Sequence, residues 1–423
     1  IPAELPIRHL PTRWHRPAST FTMSTLLTGV VRCDVASSPR NSSLPLHSKL
    51  AGLAPVVACR RHGPPTASEK WRMSRRRHAY TLRPQSVAAD TSQASLSESA
   101  IRTETWTWRG HRIRYLVAGR RGDSSSPALL LVHGFGSNAD HWRKIMEVQA
   151  GDRQVYAIDL LGYGYSDKPN PRLAGPPSSL YNFDTWSDQL LDFTRAVIGR
   201  SAVLSCNSVG GLAGLQAAVK DPAIVRAVQV INISLRALHL SKQAAWKRPA
   251  VSTLQRALRT TGAGPWLFKR LATRDGVRRV LQTCYGDPKT VTDELVDYIL
   301  KPGLEPGAVE VFLDFISYSS GPLPEDLLQA CKVPVSILWG EADPWEPVKL
   351  GRTLALYPSV EEWASLPGVG HCPQDEAPDQ VNPFVTEFMR RHGGECATSQ
   401  SSQRNLHASL NNSPLDSAAA KSA

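Results

Sequence analysis

The chain has 423 residues, of which 41% are hydrophobic and 20% charged, and a formal net charge of +12. That is enough apolar chain for one large domain with appendages, and there is no 18-residue apolar run of the kind a membrane-spanning helix needs. The charge is lopsided: residues 1–90 hold 14 Lys/Arg against 4 Asp/Glu and so carry +10 of the total, which assigns the basicity to a leader and discounts a nucleic-acid partner.

Residues 1–95 are rich in Ser, Arg, Pro and Ala, poor in acids and without hydrophobic periodicity. Met23 opens Met-Ser-Thr-Leu-Leu and is the expected start, with residues 1–22 expected as translated leader. The composition fits an organelle transit peptide, for a chloroplast with the mitochondrion as the alternative. Seven cysteines, at 33, 59, 206, 284, 331, 372 and 396, form no CxxC pair, which fits a reduced compartment without disulfides or structural zinc.

The folded body is expected from about residue 96. Glu104–Trp108 and His111–Val117 alternate around Arg109-Gly110, the pattern of a β-hairpin. Ala128–Val132 is continuously apolar, as a strand buried on both faces should be, and runs into His133-Gly134-Phe135-Gly136. A helix is expected over about Asp140–Ala150, and a strand at Val155–Ile158 followed by the turn Asp159–Asp167. A Pro/Ser/Gly loop covers 169–180 and a helix Phe183–Ile198. Ala202–Asn207 reads as a strand that turns abruptly at Ser208 into a helix of small residues, and Val228–Ile233 as the next strand. Alternating strands and helices predict the α/β class, with a mostly parallel, doubly wound sheet.

Residues 236–330 break the alternation. Helices are expected at Gln243–Arg259, Trp266–Leu271, Asp275–Gln282, Asp293–Leu300 and Ala308–Tyr318. A helical insert in an α/β chain is a cap over the carboxyl edge of the sheet, where ligands bind. The sheet resumes at Val335–Trp339 and near Glu362–Leu366, and a last helix covers about Asp379–Arg391. The expected organisation is a leader (1–95), two parts of one core (96–235 and 331–392), a cap (236–330) and a Ser/Asn/Ala-rich disordered tail (393–423). The cap is electrically polar, with ten Lys/Arg and one acid over 241–280 but nine acids and two lysines over 281–330. Its basic half, with Trp246, Trp266, Leu267 and Phe268, is suited to peripheral contact with an anionic membrane face. Solvated helix faces with the aromatics in the core are the plainer reading.

The chemistry gathers around Ser208. In Cys206-Asn207-Ser208-Val209-Gly210 a serine sits between a strand and a helix, with small residues two before and two after it. This is a nucleophile-elbow pattern in which Cys206 stands where glycine is usual. An acid and a histidine should follow, each after a later strand. Asp343 fills the first slot and His371 the second. His371 would take the Ser208 proton, and Asp343 would fix the imidazole tautomer. The N–H groups of Val209 and Phe135 are the expected oxyanion donors. Asp159 also ends a strand but precedes Ser208. His133 is expected to shape the oxyanion loop, and His141 and Trp142 to pack. Glu341 and Glu346 are expected to be solvated or to face the cap, and Cys206 and Cys372 to fill space.

His133-Gly134-Phe135-Gly136, Asp159–Ser166, Asn207-Ser208-Val209-Gly210-Gly211 and Gly370-His371-Cys372-Pro373-Gln374-Asp375-Glu376 resemble the α/β-hydrolase superfamily over about residues 101–392. More narrowly they are similar to plastid hydrolases related to pheophytinase and chlorophyll dephytylase. That resemblance implies hydrolysis of a carboxylic ester of a lipophilic small molecule, a phytyl or lipid ester among them, in a chloroplast. It implies no metal or cofactor. The outline also resembles haloalkane dehalogenases and epoxide hydrolases, but those place Asp at the elbow. Acyl transfer or C–C hydrolysis on the same triad, and a low-turnover ligand-binding receptor, are the alternative functions.

Overall fold

The structure is a computed structural model and describes residues 100–120, 127–171, 180–237 and 239–393. The expected leader, the expected tail beyond Gly393, and most of the 169–180 loop lie outside these residues.

The hairpin forms as its alternation requires: β1 (Arg102–Trp108) pairs antiparallel with β2 (His111–Ala118), and Arg109 at φ 49° and Gly110 at φ 83° make the turn. β3 (Ala128–Val132) and β4 (Val155–Ile158) follow, every residue buried, with α1 (Arg143–Gln149) between them. α2 (Phe183–Phe193) starts on Asn182, whose side chain accepts from Thr185 N. It continues to Ile198 as a wider turn that ends on Gly199 at φ 72°. β5 (Ala202–Asn207), α3 (Val209–Lys220) and β6 (Val225–Ile231) complete the first part of the core. β6 begins and ends earlier than expected, because the chain leaves the sheet at Asn232, held at φ 44°.

The described strands form one sheet in the order β1-β2-β4-β3-β5-β6-β7-β8, parallel from β4 onward. Here β7 is Val335–Gly340 and β8 is Val360–Leu366. Side-chain alternation splits the core into two layers. Leu130, Val132, Leu204 and Val230 face α2 and α3 through Trp186, Leu190, Leu212 and Leu215. Leu129, Leu131, Val203 and Ile231 face α1 and the last helix, through Ile145, Met146, Val385 and Phe388. Parallel register aligns the carboxyl ends, with Val132 opposite Cys206, Asn207 opposite Ile231, and Gly340 opposite Leu366. The loops after β3, β5, β6, β7 and β8 therefore leave from one edge.

Helices fill the stretch between β6 and β7: α4 (Arg248–Thr260), α5 (Ala263–Leu271), α6 (Arg274–Cys284), α7 (Asp293–Gly303), α8 (Ala308–Ile316) and α9 (Pro324–Ala330). α4 starts later than the expected Gln243, after a short turn at Ala245–Lys247. Pro249 has no N–H to donate and is tolerated in a first helical turn. α9 was not anticipated, although Pro324, Glu325 and Asp326 in its first turn are a start signal. Thr292 caps α7 as expected, accepting from Leu295 N. α10 (Pro378–His392) closes the chain's described part.

The cysteine at the elbow has a packing consequence. Cys206 Sγ lies against α3, where a Cβ added at Gly214 would stand 2.6 Å from it. A Gly214→Ala variant should therefore unfold at a lower urea midpoint, by about 1–3 kcal/mol of overpacking. Cys206→Ala in the same chain should recover most of that loss.

Candidate active site

Ser208 is held at φ 56°, ψ −122°, outside the regions L-residues favour. Such a conformation costs about 1–3 kcal/mol and persists only where its surroundings enforce it. Three backbone bonds do so: Ser208 N donates to Ile231 O at 3.0 Å, and Gly211 N and Ser234 N donate to Ser208 O at 3.0 and 3.3 Å. The approach of the elbow to the loop after β3 is equally tight. A Cβ on Gly210 would meet His133 O at 2.4 Å, and one on Gly134 would meet Ser208 Cβ at 2.9 Å. Phe135, the residue after Gly134, is thus brought into the neighbourhood of Ser208, and Val209 opens α3, where the first amides have no acceptor inside the helix. Neither N–H enters a backbone bond among the described loops.

His133 has the loop-shaping position expected of it. Its Nε2 accepts from Leu160 N at 3.1 Å, so Nδ1 carries the proton and donates to Gly134 O at 2.7 Å. Burial lowers its pKa and keeps it neutral. Asp159 accepts from Ala139 N and Tyr165 N and pairs with Arg114 at 3.3 Å. It braces that corner and makes no bond to His371.

Asp343 and His371 are brought together: His371 Nδ1 lies 2.6 Å from Asp343 Oδ2. The carboxylate is fully engaged. Oδ2 also accepts from Asn232 Nδ2 at 2.8 Å, and Oδ1 accepts from the backbone N–H of Trp345 and Glu346 at 2.9 and 3.1 Å. Burial, the largest influence, pushes its pKa up, but the His371 charge and these bonds outweigh it and leave it below the usual value. For His371 burial pushes downward, yet the charge and hydrogen bond of Asp343 and the charge of Glu346 prevail and raise the imidazole. Asn207 Nδ2 donates to His371 O at 3.1 Å, tying the elbow to the histidine loop. Among the hydrogen bonds of the described residues none joins Ser208 Oγ to His371, a contact that in hydrolases commonly tightens only with substrate in place.

Two residues at this edge were not singled out for the part they take. Asn232, kinked at the end of β6, holds Asp343 and also bonds Gly340 through both ends of its amide. Glu346 is not solvated but 8% exposed. It accepts from Leu235 N at 3.0 Å, and burial pushes its carboxyl up to about 7. Glu341 is exposed, as expected. Cys206 and Cys372 are buried, and burial raises both thiols, which suits packing rather than attack.

The helical insert meets the site in two ways. Phe135 lies 5.5 Å from Phe312 and 5.1 Å from Phe315 of α8, and Phe268 of α5 packs on Phe312, so aromatic rings roof the elbow. The end of α6 is stitched to the histidine loop, with His371 N donating to Cys284 O at 2.7 Å. The charge halves expected from the sequence are partly joined, because Arg274 and Arg278 pair with Asp293 across α6 and α7. Trp246 and Trp266 remain exposed, at 74% and 60%.

A strained serine after a central strand, and an Asp–His pair after two later strands, define an α/β-hydrolase fold with an elbow-type site. A profile of the Alpha/beta hydrolase family matches residues 129–384, and the chain belongs to that family. Family membership supports a hydrolase enzyme. Chloroplastic pheophytinase of Arabidopsis thaliana is 25% identical over 315 residues, 66% of this chain and 64% of that protein. The chain therefore spans under two thirds of that relative. An uncharacterized hydrolase of Bacillus subtilis, YugF, is 23% identical over 62% of this chain and 89% of its own. Human epoxide hydrolase 4 is 24% identical over 72% of this chain and 83% of its own. Among solved structures, Cfl2 of Burkholderia cenocepacia superposes with a TM-score of 0.55 at 20% identity, covering 69% of this chain and 96% of that one. At that identity the likeness concerns the fold alone.

Proposed function

We propose that the protein is a serine hydrolase that cleaves a carboxylic ester of a lipophilic substrate through an acyl-enzyme. The bond between His371 and Asp343, on the edge where the strained Ser208 stands, carries this reading. Ser208 Oγ attacks the ester carbonyl as its proton passes to His371 Nε2. The carbonyl oxygen becomes an oxyanion facing the Phe135 and Val209 N–H groups. On collapse His371 returns the proton to the leaving alcohol. Water then repeats the cycle on the acyl-Ser208 ester, releasing the acid and restoring the serine. Serine at the elbow separates this chemistry from that of an epoxide hydrolase with an aspartate there.

The aromatic roof of Phe135, Phe268, Phe312 and Phe315 supports a lipophilic substrate. Similarity to pheophytinase supports a phytyl or lipid ester and a plastid setting. The exposed Trp246 and Trp266, with Lys269 and Arg270 on the same short helix as Trp266, support peripheral contact with an anionic membrane. Co-sedimentation with anionic but not zwitterionic vesicles tests that contact. No helix among the described residues is long and apolar enough to cross a membrane.

The substrate class is tested with p-nitrophenyl esters from acetate to laurate. kcat/KM should rise by up to about fourfold per methylene, the equivalent of ~0.8 kcal/mol for each buried CH2. A flat series would contradict a lipophilic substrate. With an added acceptor alcohol, free acid should remain the main product, and a dominant new ester would mark a transferase.

The pH dependence follows from His371, which must be neutral to act as base. Its pKa is raised above the ordinary 6.5 by Asp343 and Glu346. kcat/KM should therefore fall with decreasing pH through an apparent pKa above that value, and Glu346→Gln should move the limb to lower pH. A limb at or below 6.5 in the parent would contradict this charge arrangement.

A further inference from the structure

His141, expected only to pack, lies inside a buried polar chain. Ser137 Oγ is 2.8 Å from His141 Nδ1, His141 Nε2 is 2.8 Å from Tyr285 OH, and Tyr285 OH donates to Asp375 Oδ2 at 2.9 Å. All four side chains are buried. They come from three separate pieces of chain: the connection between β3 and α1, which supplies both Ser137 and His141, the end of α6 in the insert, and the segment after His371.

The direction of each bond can be worked out. Asp375 faces Arg143 at 2.7 Å and Lys144 at 3.3 Å. Burial pushes its pKa up, but its cationic neighbours and the Tyr285 hydrogen bond prevail, and it stays ionised. It can only accept, so Tyr285 gives it the phenolic proton, which burial keeps in place. Tyr285 O must then accept from His141 Nε2–H. Burial holds His141 neutral, with its pKa lowered to about 4. Its Nδ1 is therefore bare and accepts the Ser137 hydroxyl proton. Asp375, Tyr285, His141 and Ser137 thus form a chain with one consistent order of protons.

What the chain holds is the oxyanion turn. Ser137 N donates to Gly134 O at 3.3 Å, which closes a four-residue turn over Phe135 and Gly136, with Gly136 at φ 68°. His133 fixes the first end of this turn through Gly134 O. The side-chain chain fixes the second end through Ser137. The far end of the chain adjoins the base: Glu376, next to Asp375, accepts from Gly370 N at 2.8 Å and Asp287 N at 2.9 Å.

We propose that Tyr285 and His141 are positioning residues for the hydrolytic step. Through Ser137 they set the Phe135 N–H where the oxyanion forms, and they register the oxyanion turn against the insert and the histidine loop. The inference rests on the serine-hydrolase reading above. Polar chains of this kind act as units, so their members couple when changed together.

The test is a double-mutant cycle on the full chain with Tyr285→Phe and Ser137→Ala, which cut the chain at opposite ends and remove only a hydroxyl each. Steady-state kinetics on an ester are paired with inhibition by a trifluoromethyl ketone, which adds Ser208 Oγ to its carbonyl and places an oxyanion in the hole. Each variant should melt as a folded protein and lose about 10–100-fold in kcat with KM nearly unchanged, the size expected when a donor is misplaced rather than deleted. Inhibitor affinity should weaken by the same factor, and the double variant should be no worse than the poorer single. Unchanged kcat in both variants, beside Ser208-dependent turnover by the parent, would overturn the relay alone. So would additive losses, or losses confined to KM. Parent turnover that survives Ser208→Ala would overturn the hydrolase reading, and the relay with it.

Discussion

Replacing Ser208 by alanine should reduce ester turnover about a million-fold, to the level left by binding and the oxyanion donors alone. The substitution removes one oxygen from a position that the fold maintains in a strained conformation. That strain serves no packing purpose that alanine would lose. Ser208→Ala should therefore melt no lower than the parent, and since alanine keeps the Cβ that is strained at φ 56°, it should melt little higher; only glycine would relieve that strain. His371→Ala should cost about as much, and the two together no more than either alone, because nucleophile and base act as one unit. The measurement is kcat/KM on the best ester of the series. A loss below about a hundredfold in either single variant would mean that another group starts the reaction.

Asp343→Asn should lower kcat about ten-thousandfold with a folded protein. Its carboxylate is surrounded by four donors: Trp345 N and Glu346 N on Oδ1, Asn232 Nδ2 and His371 Nδ1 on Oδ2. An amide has one oxygen, so its NH2 must face two donors whichever way it turns. If the NH2 faces His371, the imidazole must present a bare Nδ1, which puts its proton on Nε2, where the base is needed. If it faces the backbone amides, the loop after β7 loses both its ties. The lost charge also lowers the His371 pKa, so the acid limb should move down as kcat falls. Asn232→Leu should lower kcat more weakly, because it removes one donor from Asp343 Oδ2 but leaves the charge, and its acid limb should not move down.

Much of the candidate site could be read in the chain. Ser208, Asp343 and His371 announced themselves by local pattern: a serine between small residues at a strand–helix junction, then an acid and a histidine after two later strands. The continuous apolar run of Ala128–Val132 and the small residues of α3 likewise state their own surroundings. What could not be read depends on contacts between distant segments. Asn232 lies 111 residues from Asp343 and Tyr285 lies 144 from His141, and nothing local marks either as a partner. A polar residue at the end of an apolar strand was the one available sign for Asn232. Glu346 is expected either in solvent or facing the cap, and only the bond from Leu235 N, 111 residues away, shows it buried at the base of the insert. The 243–259 segment shows the opposite limit. Its helical period is strong, but Pro249 and the turn before it moved the start to Arg248.

The insert behaves as two parts in chemical terms. α6 and α7 pack around Leu281, Tyr285, Leu295 and Cys372 and are bonded to the histidine loop. α4 has no buried residue and lies with α5 against α8. Movement of α6 would pull on His371 N, whereas α4 and α5 make no backbone bond to the histidine loop among the described residues.

The central claim is an activated serine at position 208, and the most direct measurement is covalent labelling of the full chain with a fluorophosphonate probe, mapped by mass spectrometry. Attack by Ser208 Oγ on phosphorus expels fluoride and leaves a phosphonylated serine, with His371 taking the proton. The account requires one adduct on the peptide containing Ser208, lost in Ser208→Ala and strongly slowed in His371→Ala. A folded parent that takes up no probe, or an adduct elsewhere with Ser208 unmodified, would contradict it.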